Sequence, residues 1–261
     1  TEGDRMTGAE KVIVSREGAI LVVTINRPDR RNAIDRETSE AIAAAIDMLD
    51  SNDALSVGVL TGMGSHFCAG MDLKAFLAGE RVELEGRGLA GLTQRPPVKP
   101  LIAAVEGYAL AGGFEIALAC DLIVASTTAV FGLPEAKRGL IAGSGGLVRL
   151  PERIPRQIAM ECAMTGRMIS GEEAERWGLV NRLCAEGQAL MTARVLAAEV
   201  AQSAPMSLAA SKEIISNAAH WPEDEIWARQ NRILETVITS DDAREGARAF
   251  AEKRSPVWSG R

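Results

Sequence analysis

Glu115 and Glu135 are the two residues of this 261-residue chain whose surroundings point to chemistry. Glu115 follows the glycine-rich stretch GYALAGG (107–113) and enters an apolar run that ends at Cys120. Glu135 closes the stretch FGLPE (131–135), among apolar and turn residues. An ionised carboxylate is costly to bury unless it is paired or gives up its charge. Burial and like-charge proximity both raise a carboxyl pKa, and they can split two neighbours into an acid and a base. Glycine lets the backbone approach a ligand. A helix beginning near Gly112 and Gly113 leaves its first N–H groups without intrahelical partners, and these donors suit developing negative charge. CAGMD (68–72) is a second candidate donor turn. Two donor turns and two carboxylates suit enolate chemistry on a carbonyl compound, in which an oxyanion takes two N–H bonds and a proton moves between groups that titrate near neutrality.

Other chemistries fit less well. No Lys-Ser/Thr pair follows Gly112, so GYALAGG is not a P-loop; GSGG (143–146) is followed by Val148, not by the last glycine of G-x-G-x-x-G. A nucleophile elbow around Ser144 has Ala142 in its first position. The chain has two histidines, His66 and His220; His66 could serve Ser144, but no acidic partner is marked, and no hydrolase triad is expected. These histidines and four cysteines without a C-x-x-C pair (Cys68, Cys120, Cys162, Cys184) form no metal-ligand set. The cysteines read as reduced core thiols, which suits the cytoplasm. The net charge of −6 argues against a general nucleic-acid binder. No apolar run reaches the ~18 residues of a membrane span, and no basic-then-apolar signal segment opens the chain.

The elements that must position these residues form an α/β pattern. Residues 1–10 are polar and are expected to be disordered. A hairpin is predicted over 11–26, a turn over 27–33, and a helix over 36–50 capped by Asp35, with Ile42, Ile46 and Leu49 on one face. Strands are predicted over 56–62, 100–107 and 121–126, with a helix over 113–119 between the last two; strand, helix, strand at this spacing implies parallel pairing. From about 155 onward the pattern is helical, and no strand signal follows residue 200. Residues 74–98, rich in Gly, Glu and Arg and ending in Pro96-Pro97, lack periodicity and read as a mobile connection.

Six stretches, in this order and spacing, resemble the crotonase, or enoyl-CoA hydratase, superfamily along nearly the whole chain: NRPDRRNA (26–33), FCAGMDLK (67–74), EGYALAGGFEIALACD (106–121), FGLPEAKRGLIAGSGG (131–146), TGRMISGEEAERWGLVN (165–181) and EGARAFAEKR (245–254). The resemblance implies a spiral of ββα turns over 11–200 and a helical oligomerisation region over 201–261, with assembly as a homotrimer or homohexamer. It implies that Met71 and Gly112 supply the oxyanion-hole amides, that Glu115 acts toward water and Glu135 toward the α-carbon, and that Gly143 helps hold the water. Arg30, Ala33, Asp72, Leu73 and Lys74, with Met71 and Gly112, match the coenzyme A and thioester strip; Phe250 and Lys253 match a tail that reaches a neighbour's coenzyme. The implied activity is reversible hydration of 2-enoyl-CoA thioesters, as in fatty-acid β-oxidation, with coenzyme A thioester as substrate and no further cofactor. The alternatives are 3,2-enoyl-CoA isomerisation or a carnitinyl-CoA-type dehydration, and, more remotely, a non-catalytic crotonase-like scaffold. Three departures from the family pattern stand out: Met71 where small residues are common, AGSGG (142–146) in place of a PGxGG turn, and Lys137 and Arg138 close behind Glu135. Either cation, turned inward, lowers the pKa of Glu135.

Overall fold

The computed structural model describes residues 10–261, so all but the last residue of the polar 1–10 segment lies outside the described residues. The expected hairpin is β1 (Val12–Glu17) and β2 (Ile20–Ile25). Asp35 starts α1 (Arg36–Ser51): its carboxylate accepts from the Thr38 N–H at 2.9 Å and the Thr38 hydroxyl at 2.6 Å. Ile42, Ile46 and Leu49 are buried along one face of this helix, as their spacing predicts. The chain continues through β3 (Val57–Gly62), α2 (Leu73–Leu77), β4 (Leu101–Val105), β5 (Tyr108–Leu110), α3 (Gly112–Ala119), β6 (Leu122–Ser126) and β7 (Val130–Gly132). Then come α4 (Gly146–Arg153), α5 (Arg156–Thr165), β8 (Met168–Ser170), α6 (Gly171–Arg176), β9 (Arg182–Cys184), α7 (Ala189–Val200), α8 (Pro205–Asn217), α9 (Ile226–Ile238) and α10 (Asp241–Glu252).

The larger sheet has the order β1-β2-β3-β4-β6-β9. Only β1 is antiparallel to its neighbour; every other pair is parallel. Both faces are covered, which is why β3 and β4 read as continuous apolar runs and not as an alternation. Ala189, Ala193 and Ala197 of α7 pack on one face against Val57, Val59, Ile102, Ala104 and Val124. The other face carries the main core, which includes Ile42, Ile46, Leu60, Phe114 and Phe131. Phe114 and Phe131 meet at 5.3 Å between ring centres, tilted by 50°, a favourable aromatic geometry.

One feature was not foreseen, and two expectations need correcting. A second, three-stranded sheet, β5-β7-β8, is built from strands of three residues each, too short to leave a periodic signal. The helical pattern after residue 155 is interrupted by β8 and β9. Residues 74–98 are not simply a mobile connection: α2 opens the stretch, and Leu89, Ala90, Gly91 and Leu92 are buried. Arg87 ties the stretch to α1 through Asp47 at 2.7 Å, and the Ala90 N–H donates to the Ser39 hydroxyl at 3.2 Å. At the other end of the chain, α8 and α9 bury no residue, and Ile215, Trp227, Leu234 and Ile238 face outward.

Asp35 also joins the first strand to the turn before α1, with Lys11 Nζ at 2.8 Å and Arg27 Nη2 at 3.0 Å. Burial pushes its pKa up, but hydrogen bonds from Lys11 and Thr38 and the charge of Arg27 outweigh that and hold it at about 2. The unfolded value is about 4. The stabilisation is therefore complete above about pH 4 and is lost as pH falls toward the folded value. Asp35→Ala is expected to cost about 1–3 kcal/mol at neutral pH and to weaken the loss of stability on acidification. Urea denaturation of both proteins from pH 7 to pH 3 checks this.

Candidate active site

The small sheet brings distant segments to one end. The Cys68 N–H donates to the Tyr108 carbonyl at 2.9 Å and the Leu110 N–H to the Cys68 carbonyl at 3.0 Å, so the chain at Cys68 runs parallel beside β5. β5 runs parallel beside β7, and the Ala111 N–H continues the pairing onto the Gly132 carbonyl at 2.9 Å. The outgoing ends of these three segments carry Met71, then Gly112 and Glu115, then Glu135. Parallel α/β structures place their ligands at the carboxyl ends of strands.

Close backbone approach sets the two donor turns against each other. Gly70 has φ +96°, and a methyl group there would lie 3.0 Å from both Gly112 N and Leu110 O. A methyl group on Gly113 would lie 2.1 Å from the Cys68 carbonyl oxygen. Ala111, the residue before α3, has φ 52° and ψ −128°, a conformation that costs an ordinary residue about 1–3 kcal/mol. It turns the chain so that α3 begins at Gly112. The bridge between Ile34 and Met71 uses the Gly70 carbonyl and the Asp72 N–H and leaves the Met71 N–H out of the ladder. A Cβ built on Gly112 lies 3.6 Å from Met71 N, so the two amides are neighbours.

Glu115 and Glu135 are 3% and 9% exposed. One oxygen of Glu115 accepts from the Ser144 N–H at 2.7 Å and the Gly146 N–H at 2.9 Å. Its pKa is nevertheless raised: burial pushes it up, the Gly146 bond pulls it down, Glu135 pushes it up, Ser144 pulls it down and Glu83 pushes it up. Glu135 is raised by burial, against smaller lowering by its own backbone N–H and by Arg138. Its Oε2 is buried without a hydrogen-bond partner among the described residues. Lys137 turns away, donating to the Gly166 carbonyl at 3.0 Å. Of the two cations behind Glu135, only Arg138 reaches the cavity, and it does not outweigh burial.

Both carboxyl groups open onto one cavity of about 540 Å³, whose walls also include Met71, Gly112, Gly143 and Ser144. An adjoining apolar cavity of about 430 Å³ shares Glu135, Leu140 and Ile141. Two acids whose pKa burial raises, beside two backbone donors, form the set that proton transfer at a carbonyl-activated carbon requires. The enoyl-CoA hydratase/isomerase family model matches residues 15–261. The chain belongs to that family. A carnitinyl-CoA dehydratase from Salmonella typhi is 45% identical, covering 97% of this chain and all of that protein. An enoyl-CoA hydratase from Mycobacterium marinum is 56% identical with a TM-score of 0.95, covering 97% of this chain and all of that one. A carnitinyl-CoA hydratase from Mycobacterium avium is 41% identical with a TM-score of 0.78, over 97% and 100% of the two chains. The fold is thus the crotonase fold, and the protein is a crotonase-family enzyme, an acyl-CoA hydratase/dehydratase.

Within that fold, Arg30, Ala33, Asp72, Leu73 and Lys74 line the same cavity as Met71 and Gly112. The carboxylate of Asp72 is occupied, pairing with Arg27 at 2.9 Å and accepting from the Lys74 N–H at 3.0 Å. Phe250 and Lys253, at the end of α10, are exposed and do not line this cavity. His66 does not serve Ser144: it stacks on Tyr108 at 4.4 Å and accepts from the Tyr108 N–H at 3.2 Å. The Ser144 hydroxyl instead donates to Glu83 at 2.7 Å. Glu83, Ser144 and Arg31 are cavity residues that sequence reasoning did not single out for binding or acid–base work. The near-elbow around Ser144 marked the turn, but nothing marked Glu83.

Two outcomes follow for variants at this site. Gly113→Ala forces the Cys68 carbonyl away and is expected to abolish activity together with a drop in melting temperature. Arg138→Gln removes the charge that lowers the pKa of Glu135; the limb of the pH–kcat/KM profile that reports Glu135 is expected to move to higher pH, read from profiles of the two proteins.

Proposed function

We propose that the enzyme adds water reversibly across the C2–C3 double bond of a CoA thioester, with Glu115 and Glu135 as the acid–base pair. In hydration, Glu115 takes a proton from water as the water oxygen bonds to C3. The C2–C3 π electrons move toward the thioester, whose oxygen becomes an enolate oxygen held by the Met71 and Gly112 N–H groups. Glu135 then delivers its proton to C2. Dehydration runs the same steps backward. The observation that supports this reading best is that two buried carboxyl groups, both with raised pKa, open onto one cavity beside those amides. An isomerisation needs only one group to shuttle a proton, so the pair favours hydration and dehydration.

The acyl group we favour is of the carnitinyl type, a 3-hydroxyacyl chain with a trimethylammonium group on C4, because curated relatives of full length carry that activity in their names. The second reading is a simple 2-enoyl-CoA hydratase, favoured by the name of the 56% identical Mycobacterium marinum protein. Arg30, Arg31 and Lys74 at the cavity wall suit the phosphates of the coenzyme. The outward apolar side chains of α8 and α9 suit a homotrimer or homohexamer.

The test is the change in enoyl-thioester absorbance on adding the enzyme to carnitinyl-CoA and, separately, to crotonyl-CoA. Faster turnover of carnitinyl-CoA supports the first acyl assignment, and the reverse order supports the second. Glu115→Gln and Glu135→Gln are each expected to lower turnover by about 10²–10⁴, with acyl-CoA binding retained. A variant of either that keeps full hydration activity contradicts the mechanism.

A further inference from the structure

Besides Glu115 and Glu135 the cavity wall carries two carboxylates that the proposed chemistry does not use, Asp72, which pairs with Arg27, and Glu83. Glu83 lies on the cavity wall, in the stretch after α2. Its Oε1 accepts from the Ser144 hydroxyl at 2.7 Å, while the N–H of the same serine holds Glu115 at 2.7 Å. One residue thus fixes both carboxylates, through its backbone and its side chain. The segment carrying Glu83 is tied down as well. Arg36 donates to the carbonyls of Arg81 and Glu83 at 3.2 and 3.3 Å, and Leu84 and Gly88 exchange backbone bonds at 3.0 and 2.8 Å.

Glu83 is exposed, so water solvates its charge. It enters no ion pair among the described residues; of the guanidinium groups around it, Arg36 pairs with Glu40 and Arg87 with Asp47. Arg149, which faces Glu115 from α4, donates to the Thr93 carbonyl at 2.6 Å. The basic side chains of the cavity come from elsewhere: Arg30 and Arg31 from the turn before α1, Lys74 from α2, and Arg138 beside Glu135. An unneutralised carboxylate beside Glu115 opposes the ionised form that a base needs.

We propose that Glu83 is a specificity-determining residue, whose carboxylate supplies the counter-charge for a cationic, ammonium-bearing substituent on the acyl group. This rests on the reading of Glu115 as the group that handles water at C3. A substituent on C4 is two bonds beyond that carbon, and we seat it against the wall where Ser144 joins Glu115 to Glu83. A cation bound there neutralises Glu83 and favours ionised Glu115, so the correct substrate improves its own base. A neutral acyl group of equal shape leaves the repulsion in place.

The experiment uses two CoA thioesters of one shape: 4-(trimethylammonio)but-2-enoyl-CoA and its uncharged carbon isostere, 5,5-dimethylhex-2-enoyl-CoA. The readout is the ratio of their kcat/KM values in wild type and in Glu83→Gln, which keeps an acceptor for Ser144 and removes the charge. Wild type is expected to favour the cationic thioester by about tenfold or more, and Glu83→Gln to lose most of that preference. A ratio unchanged by the substitution, whether through equal loss on both thioesters or no loss on either, overturns the proposal. Calorimetric Kd values for the two saturated acyl-CoA analogues make the same comparison without turnover. If neither enoyl thioester reacts, the hydro-lyase reading fails on its own. Calorimetry then decides the role of Glu83: cation-selective binding that the substitution removes supports it, and equal binding of the two analogues by wild type overturns it.

Discussion

The site depends on one contact: the Glu115 carboxylate, nearly sealed from solvent, resting on the Ser144 and Gly146 amides. Without those donors, burial would push the pKa of the carboxyl higher still. With them it remains raised but ionisable. The grip has to be partial. Full compensation would return Glu115 to an ordinary, weak carboxylate, and none would silence it. Glycine at 146 matches this arrangement, because a Cβ there would sit 3.1 Å from the Glu115 oxygen and 3.0 Å from its Cγ.

That contact lies between segments far apart in the chain, so the fold must hold α3 and the turn at 142–146 in register. The three-stranded sheet does the first half of this. It aligns the chain at Cys68, β5 and β7, and so delivers Met71, Gly112 and Glu135 to a common end. Packing with no room for a side chain at Gly70 and Gly113 does the rest, because neither turn can move without the other. Arg149, reaching from α4 to Thr93, ties the segment after the glycine turn to the stretch that carries Glu83. The cavity that Glu115 and Glu135 line is therefore braced by elements that a reader of the sequence would take for connections.

What the sequence made legible follows from length and period. α1, the hairpin, the central parallel strands and the late helices each span enough residues for burial to imprint a pattern, and Asp35 announces the start of α1 chemically. The small sheet has three-residue strands and no such imprint. Leu89 to Leu92 are buried in a stretch whose Gly, Arg and Glu content reads as solvated. The paired glutamates were legible because each stands among residues that belong inside. Glu83 was not, since it stands among charged neighbours, and its link to Ser144 spans 61 positions. The directions of Lys137 and Arg138 were equally hidden: adjacent residues of like charge part company only when the fold offers the Gly166 carbonyl to one of them.

The proposed chemistry requires two carboxyl groups that share a cavity and both ionise later than ordinary glutamates. Titration of protein labelled with carbon-13 at the glutamate carboxyl, followed by NMR, reads this directly, with Glu115→Gln and Glu135→Gln assigning the two signals. Both signals are expected to titrate above the usual value of about 4.3, and that of Glu115 should fall when Glu135 is neutralised. Finding either group at or below the ordinary value, or Glu115 indifferent to Glu135, would contradict it.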